Sequence, residues 1–229
     1  MLLPGRLETV SFNLSQFRSE QELPQALHHV RDLVLRQALP LVFWDEFDTP
    51  LAGHPLGWLR FFLAPMQDGE FREEGAFHPI GPAVFVFAGG TSSTFQEFSE
   101  MRDEQAEKAA KKPDFISRLK GYVNVFGPNP VGPDDVAYML RRALLLRSML
   151  SGKAPQLFRE ERLQIDDGLL RAFIAIDRYR NGARSLEALI DTSVLGGKLR
   201  YERSSLPPEA QLELQVDARA FHALMATTS

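Results

Sequence analysis

Asp45 and Glu46 follow directly on the apolar run Leu41-Val42-Phe43-Trp44, and two carboxylates delivered together at the end of such a run are the strongest chemical signal in the chain. A short, continuous apolar run marks a strand buried on both faces of a parallel sheet. The carboxyl ends of such strands open onto the crevice where α/β sheets bind ligands. Adjacent carboxylates there can divide labour, one holding a divalent cation through its water shell and the other orienting or polarising an attacking water. Helix capping competes with that chemistry. Asp45 would then be an N-cap, and Glu46, Phe47 and Asp48 would open a helix whose dipole favours acids in the first turn.

Other candidates are weaker. A second apolar run, Ala83-Val84-Phe85-Val86-Phe87-Ala88, ends in the polar turn Gly89-Gly90-Thr91-Ser92-Ser93. Arg118 closes Pro113-Asp114-Phe115-Ile116-Ser117-Arg118. In Asn181-Gly182-Ala183-Arg184, Gly182 can close one helix in a left-handed turn while Arg184 sits in the first turn of the next. Taken singly, these arginines read as ordinary surface or ion-paired side chains. No His-Glu-x-x-His or Gly-x-Ser-x-Gly spacing occurs, and His28-His29 reads as a surface pair on a helix rather than as ligands. Asp134-Asp135 and Asp166-Asp167 precede helices, where capping accounts for them.

The elements that must position these residues follow from periodicity. Residues 9–14 alternate as a strand. From Leu23, apolar residues recur at Ala26, Leu27, Val30, Leu33, Val34 and Ala38 with the helical period, and Pro40 ends that helix. Residues 56–65 read as a short helix and residues 66–80 as a hairpin or ordered loop. Residues 99–112 form a charged, helix-prone, solvated face, and Tyr122-Val123-Asn124-Val125 suits a further strand. Helices are expected over 133–150, 167–180 and 183–193, and the alternation of Leu212, Leu214 and Val216 suggests a strand in the tail. Strands alternating with helices and then a helical stretch make an α/β fold with a parallel-sheet core over 1–130 and a helical subdomain with a C-terminal extension over 131–229.

Composition narrows the rest. With 229 residues, 44% hydrophobic and 24% charged, the chain matches a folded protein with a sizeable core. A net charge of −4 offers no global basic field for nucleic acid. No cysteine occurs, which excludes a disulfide scaffold and thiolate metal sites and fits a reducing compartment. Neither a signal peptide at residues 1–5 nor the roughly 20 apolar residues of a membrane span is evident, so a cytoplasmic location is expected.

Taken in order, Leu41-Val42-Phe43-Trp44-Asp45-Glu46, the Leu-rich, Asp68-Gly69-containing stretch after it, the run ending at Ala88, the Pro113 to Leu119 motif and Gly182-Ala183-Arg184 resemble AAA+ ATPases of the Clp and HslU unfoldase type. The resemblance implies a P-loop NTPase-like core and a small helical lid, with ATP and Mg as ligands. Asp45 would serve the metal and Glu46 the attacking water. Thr91, or Ser92 if the turn is longer, would be sensor 1, although Gly89 and Gly90 depart from the family pattern. Arg118 would be the arginine finger offered to a neighbouring subunit, and Arg184 the sensor-2 contact to ATP. A finger acting in trans implies a homo-oligomeric ring or open helix through heterologous interfaces, acting on an unidentified protein partner. No Gly-x-x-x-x-Gly-Lys-[Ser/Thr] occurs; Ser151-Gly152-Lys153 lacks the first Gly. The core is therefore expected to be incomplete, beginning after the Walker A loop, with one inner sheet edge unpaired and no activity of this chain alone. An inactive ATPase-like scaffold and a nucleotide-switch signalling module are the alternatives.

Overall fold

The computed structural model describes residues 6–226; residues 1–5, read above for a signal peptide, lie outside them. The chain divides into two compact units between Asn124 and Val125. In the first, β1 (Arg6–Asn13) passes through a 3-10 turn to α1 (Glu22–Leu35) and β2 (Ala38–Asp45). A 3-10 turn at Leu59–Phe62 leads into α2 (Leu63–Gln67), then β3 (Glu70–Glu73), β4 (Ala76–Pro79) and β5 (Val84–Ala88). Three short helices follow: α3 (Phe95–Ser99), α4 (Glu104–Ala109) and α5 (Lys112–Arg118). The architecture is α/β, with a three-stranded parallel sheet in the order β1-β2-β5 and a separate antiparallel β3–β4 hairpin.

α1 forms where the helical period predicts it, burying Leu23, Ala26, Leu27, Val30 and Leu33 on one face. It ends at Leu35, not at Pro40, because Gln37 takes a left-handed φ of 63°. Pro40 instead lies inside β2. There it lies opposite Glu8 of β1 and one residue before the β5 ladder begins at Leu41, near the start of the strand, where proline is best tolerated. Burial along β2 alternates. Pro40, Val42 and Trp44 are buried on one face, while Leu41 and Phe43 on the other are half-buried, so one face is sealed and the other only partly covered. The apolar run therefore serves a small sheet whose β1 side is largely exposed, rather than a strand covered on both faces.

Trp44 centres the first core. Phe12 stacks on it at 5.0 Å, and Phe62 and Phe85 meet it edge-on at 4.9 and 5.7 Å, arrangements that add to the area buried. The strand expected at residues 122–125 pairs with no other strand among the described residues. Its side chains are bound instead: Tyr122 stacks on Phe95 at 4.3 Å, and Asn124 Oδ1 accepts the Phe95 backbone N–H at 2.8 Å, which satisfies a free donor of α3's first turn. Val123 and Val125 project outward, 84% and 86% exposed.

The second unit is mainly helical: α6 (Tyr138–Lys153), a short β6 (Phe158–Arg159) and β7 (Arg162–Leu163) pair, α7 (Asp167–Ala175), α8 (Ala183–Asp191), α9 (Glu209–Glu213) and α10 (Ala218–Ala226). α6 begins later than its Pro-Asp-Asp signal because Asp135 is engaged elsewhere. Its Oδ1 accepts from Arg141 Nη1 at 3.0 Å, its Oδ2 also accepts from Arg141, and it takes the Val131 N–H at 3.0 Å. The Arg141 hydrogen bonds, then that backbone donor, hold the Asp135 carboxyl down at about 2. The tail strand expected over Leu212, Leu214 and Val216 is helix and turn. Leu212 and Val216 are buried while Leu214 is 65% exposed, the i, i+4 pattern of a helix rather than the period of two, which would bury all three. Among the described residues no helix is long and apolar enough to cross a membrane.

Candidate functional site

The parallel register aligns Asn13, Asp45 and Ala88, so β1, β2 and β5 end at one level and deliver their following residues to a common edge. Asn13 is oriented by its own turn: its Oδ1 accepts from Ser15 N at 2.9 Å and from Ser15 Oγ at 2.6 Å. The amide nitrogen thus faces the neighbouring strand and donates to Asp45 Oδ2 at 3.2 Å. Asp45 is half-buried, with its carboxylate steered by a neutral donor and, among the described residues, paired with no cation.

The capping alternative fails. No helix starts at Asp45; residues 46–48 form a turn, and Thr49 N donates to Glu46 O at 3.0 Å. Glu46 is exposed and holds φ at 53°, a left-handed conformation that costs a side-chain-bearing residue roughly 1–2 kcal/mol. Gln37 and Leu56 share that conformation, so φ alone does not single Glu46 out. Its place one residue beyond a central strand, next to the oriented Asp45, does.

Asp48, not distinguished in the sequence, organises the edge. It is 4% exposed and accepts from Thr91 N at 2.8 Å, from Thr91 Oγ1 and, at 3.4 Å, from Gly90 N. A buried carboxylate needs such donors, and here they come from the loop after β5, so the β2 and β5 loops are tied together. Phe47 completes the junction, stacking on Phe115 at 5.7 Å and meeting Phe87 and Phe98 edge-on. Thr91 is thereby a clamp whose hydroxyl is already committed to Asp48, while Ser92 lies half-buried beside it.

Gly89 is explained by the same junction. A Cβ there would lie 2.6 Å from Phe47 Cε1 and 2.7 Å from Asp48 Oδ2, and neither group can swing away without breaking the contacts just described. Gly89→Ala is expected to lower stability by about 2 kcal/mol in a urea titration, the cost of overpacking a filled site. An unchanged midpoint would mean that the junction repacks freely.

Arg118 ends α5, whose Phe115 is fully buried. Its Nη2 donates to Gln67 Oε1 at 2.5 Å and its Nη1 to the Asp114 carbonyl, so the guanidinium is held within its own chain by α2 and its own helix. Arg184 lies in the second unit, exposed in the first turn of α8. Gly182 is the N-cap of α8, not the C-cap of the helix before, because α7 already stops at Ala175; its φ of 58° and ψ of −131° suit glycine. The first unit thus gathers Asp45, Glu46, Thr91 and Ser92 along one sheet edge, with Arg118 at the end of a helix packed on α2. Asp45, with Asn13 beside it and Glu46 following, is the group on this edge suited to a hydrated divalent cation. No protein-family model matches the chain, and no curated protein matches it.

Proposed function

We propose that this chain carries the hydrolytic carboxylates of an AAA+-type P-loop ATPase that couples ATP hydrolysis to conformational work in a cytoplasmic oligomer. The observation that carries the proposal is the carboxyl edge of the parallel sheet, where Asp45 is oriented by Asn13 and followed by an exposed Glu46, with β5 beside β2. Asp45 would hold Mg²⁺ through its water shell, and Glu46 would orient the attacking water. The strand order β1-β2-β5 is compatible with the Walker B and sensor-1 strands of a P-loop core lying side by side. In that core the phosphate-loop strand belongs beside β5, whose outer edge carries no strand among the described residues. Thr91 secures the sensor-1 loop, its hydroxyl being committed to Asp48, which leaves Ser92 as the one of the two to meet a γ-phosphate, and Arg184 on the second unit is the candidate sensor-2 residue. Arg118 serves a neighbouring subunit after leaving Gln67, which implies a heterologous ring or helix.

One observation favours a second reading, an ATPase-like scaffold without turnover: the sequence holds no Gly-x-x-x-x-Gly-Lys-[Ser/Thr]. Hydrolysis of ATP by the protein as its gene encodes it, measured as phosphate release across a Mg²⁺ series, separates the two. Under the ATPase reading Asp45→Asn raises the Mg²⁺ requirement by about 10–100-fold, as expected when a group holding the metal's water shell is lost. No hydrolysis, or an unshifted Mg²⁺ dependence in the variant, favours the scaffold.

A further inference from the structure

A second cluster of chemically capable side chains lies where α1 meets the β3–β4 hairpin, independent of the sheet edge. The hairpin turns through Glu74 and Gly75, both at positive φ (48° and 86°), which is the two-residue turn whose twist suits antiparallel strands. That turn fixes a register pairing Phe71 with His78 and Glu73 with Ala76, so Phe71, Glu73 and His78 share one face. Phe71 is buried, and His28, projecting from α1, comes down over the same face. The His28 ring meets Phe71 edge-on at 4.8 Å and His78 at 4.9 Å, and its Nε2 lies 2.6 Å from Glu73 Oε2. The donor atoms of His28, Glu73 and His78 all lie within 4.8 Å of one another, and all three residues are half-buried. His28 is therefore not the surface residue its sequence neighbourhood suggests.

We propose that His28, Glu73 and His78 bind a divalent transition-metal ion of the zinc type. Two imidazoles and one carboxylate suit zinc, cobalt or nickel better than the oxygen-seeking Mg²⁺ or Ca²⁺. Three protein ligands leave a fourth tetrahedral position for water. Bonds of 2.0–2.1 Å in a tetrahedral site put donor atoms roughly 3.3 Å apart, a separation between the 2.6 Å His28–Glu73 contact and the 4.8 Å limit of the cluster. Side-chain rotation suffices to close on an ion, because the backbone of all three ligands is already fixed by a 14-residue helix and a tight hairpin. Binding replaces the direct His28–Glu73 contact with a bond from each side chain to the ion and links α1 to the hairpin through it. The alternative is a plain His–Glu hydrogen bond with His78 merely stacked on Phe71, at 5.3 Å. Such a bond needs no second imidazole, so His78 distinguishes the two.

The full chain, stripped with a chelator, is titrated with Zn²⁺ alone by calorimetry and with Co²⁺ alone by visible absorption. One ion per chain is expected, with His78→Ala and Glu73→Gln each weakening binding by at least about tenfold and Zn²⁺ raising the thermal midpoint of the parent only. His28→Ala joins the set if its circular dichroism matches the parent; if it does not fold, the other two variants carry the test. Absence of binding up to millimolar Zn²⁺ overturns the proposal. So does binding by His78→Ala as tight as the parent's, which would place the ion on His29, His54 or His222 instead.

Discussion

Glu46→Gln is expected to reduce ATP hydrolysis by about 10²–10⁴-fold while leaving nucleotide affinity within a factor of about two, the range expected for loss of a positioned general base. The substitution is nearly isosteric and the side chain is exposed, so neither the core nor the strand end changes with it. Only the negative charge and its basicity are lost, and these are what aim and polarise a water. Phosphate release and equilibrium binding of a fluorescent nucleotide measure the two quantities separately. Glu46→Gly supplies the complementary measurement. Glycine adopts φ near 53° freely, so this variant should be more stable than the parent by about 1 kcal/mol and equally inactive. A gain in stability joined to a loss of turnover would mark an acid kept at a position where the backbone favours glycine. Unimpaired hydrolysis by Glu46→Gln would remove Glu46 from the chemistry and with it the Walker B assignment.

Much of the fold was legible because it depends on local periodicity. The buried face of α1, the Asp45 boundary of β2, the β5 run and the hairpin near residues 66–80 can each be read from spacing, since one period or one turn signal decides them. The errors arose where two explanations share a pattern. Leu212 and Val216 satisfy a strand's alternation and a helix's i, i+4 pair equally, and only the exposure of Leu214 decides. Pro40 breaks helices in general, but here it sits near the start of a strand, ahead of the β5 ladder, which sequence spacing cannot reveal. The site was legible only in outline. Asp45 and Glu46 announce themselves at a strand end, whereas Asp48 acquires its role from donors 42 and 43 residues away, and Thr91 loses its free hydroxyl to the same contact. The His28–Glu73–His78 cluster escaped for the same reason, since its members come together only when the hairpin register is set.

Arg142 shows how a charge can hold a helical unit together, and Arg142→Ala should lower the stability of that unit by about 4 kcal/mol. The side chain is 1% exposed and has no carboxylate partner among the contacts it makes. It donates instead to four backbone carbonyls: Pro128 at 2.7 Å, Ile174 at 2.8 Å, Asp177 at 3.1 Å, and Ile176. Three of these lie at the carboxyl end of α7, where a helix leaves acceptors unsatisfied and its dipole favours a cation. Tyr138 and Tyr179 place their rings 4.6 and 5.1 Å from the guanidinium carbon. Burial pushes the Arg142 pKa down from its ordinary value, yet guanidinium is basic enough to stay charged, and the carbonyl dipoles replace the water it lost. Truncation to Ala removes the donors and leaves buried acceptors unpaired, each costing about 1–3 kcal/mol before water enters the space. Arg142→Met separates the two contributions, since it keeps most of the volume and supplies no donor. If hydrogen bonding dominates, Met is nearly as damaging as Ala. Arg142→Lys should recover less than about half of the loss, because a compact ammonium with three donors cannot span carbonyls arranged for a planar fork. Urea denaturation followed by circular dichroism measures the loss, and hydrogen exchange in the last turn of α7 localises it. Should Met restore full stability, packing alone would account for the residue and the four carbonyl contacts would carry no net weight.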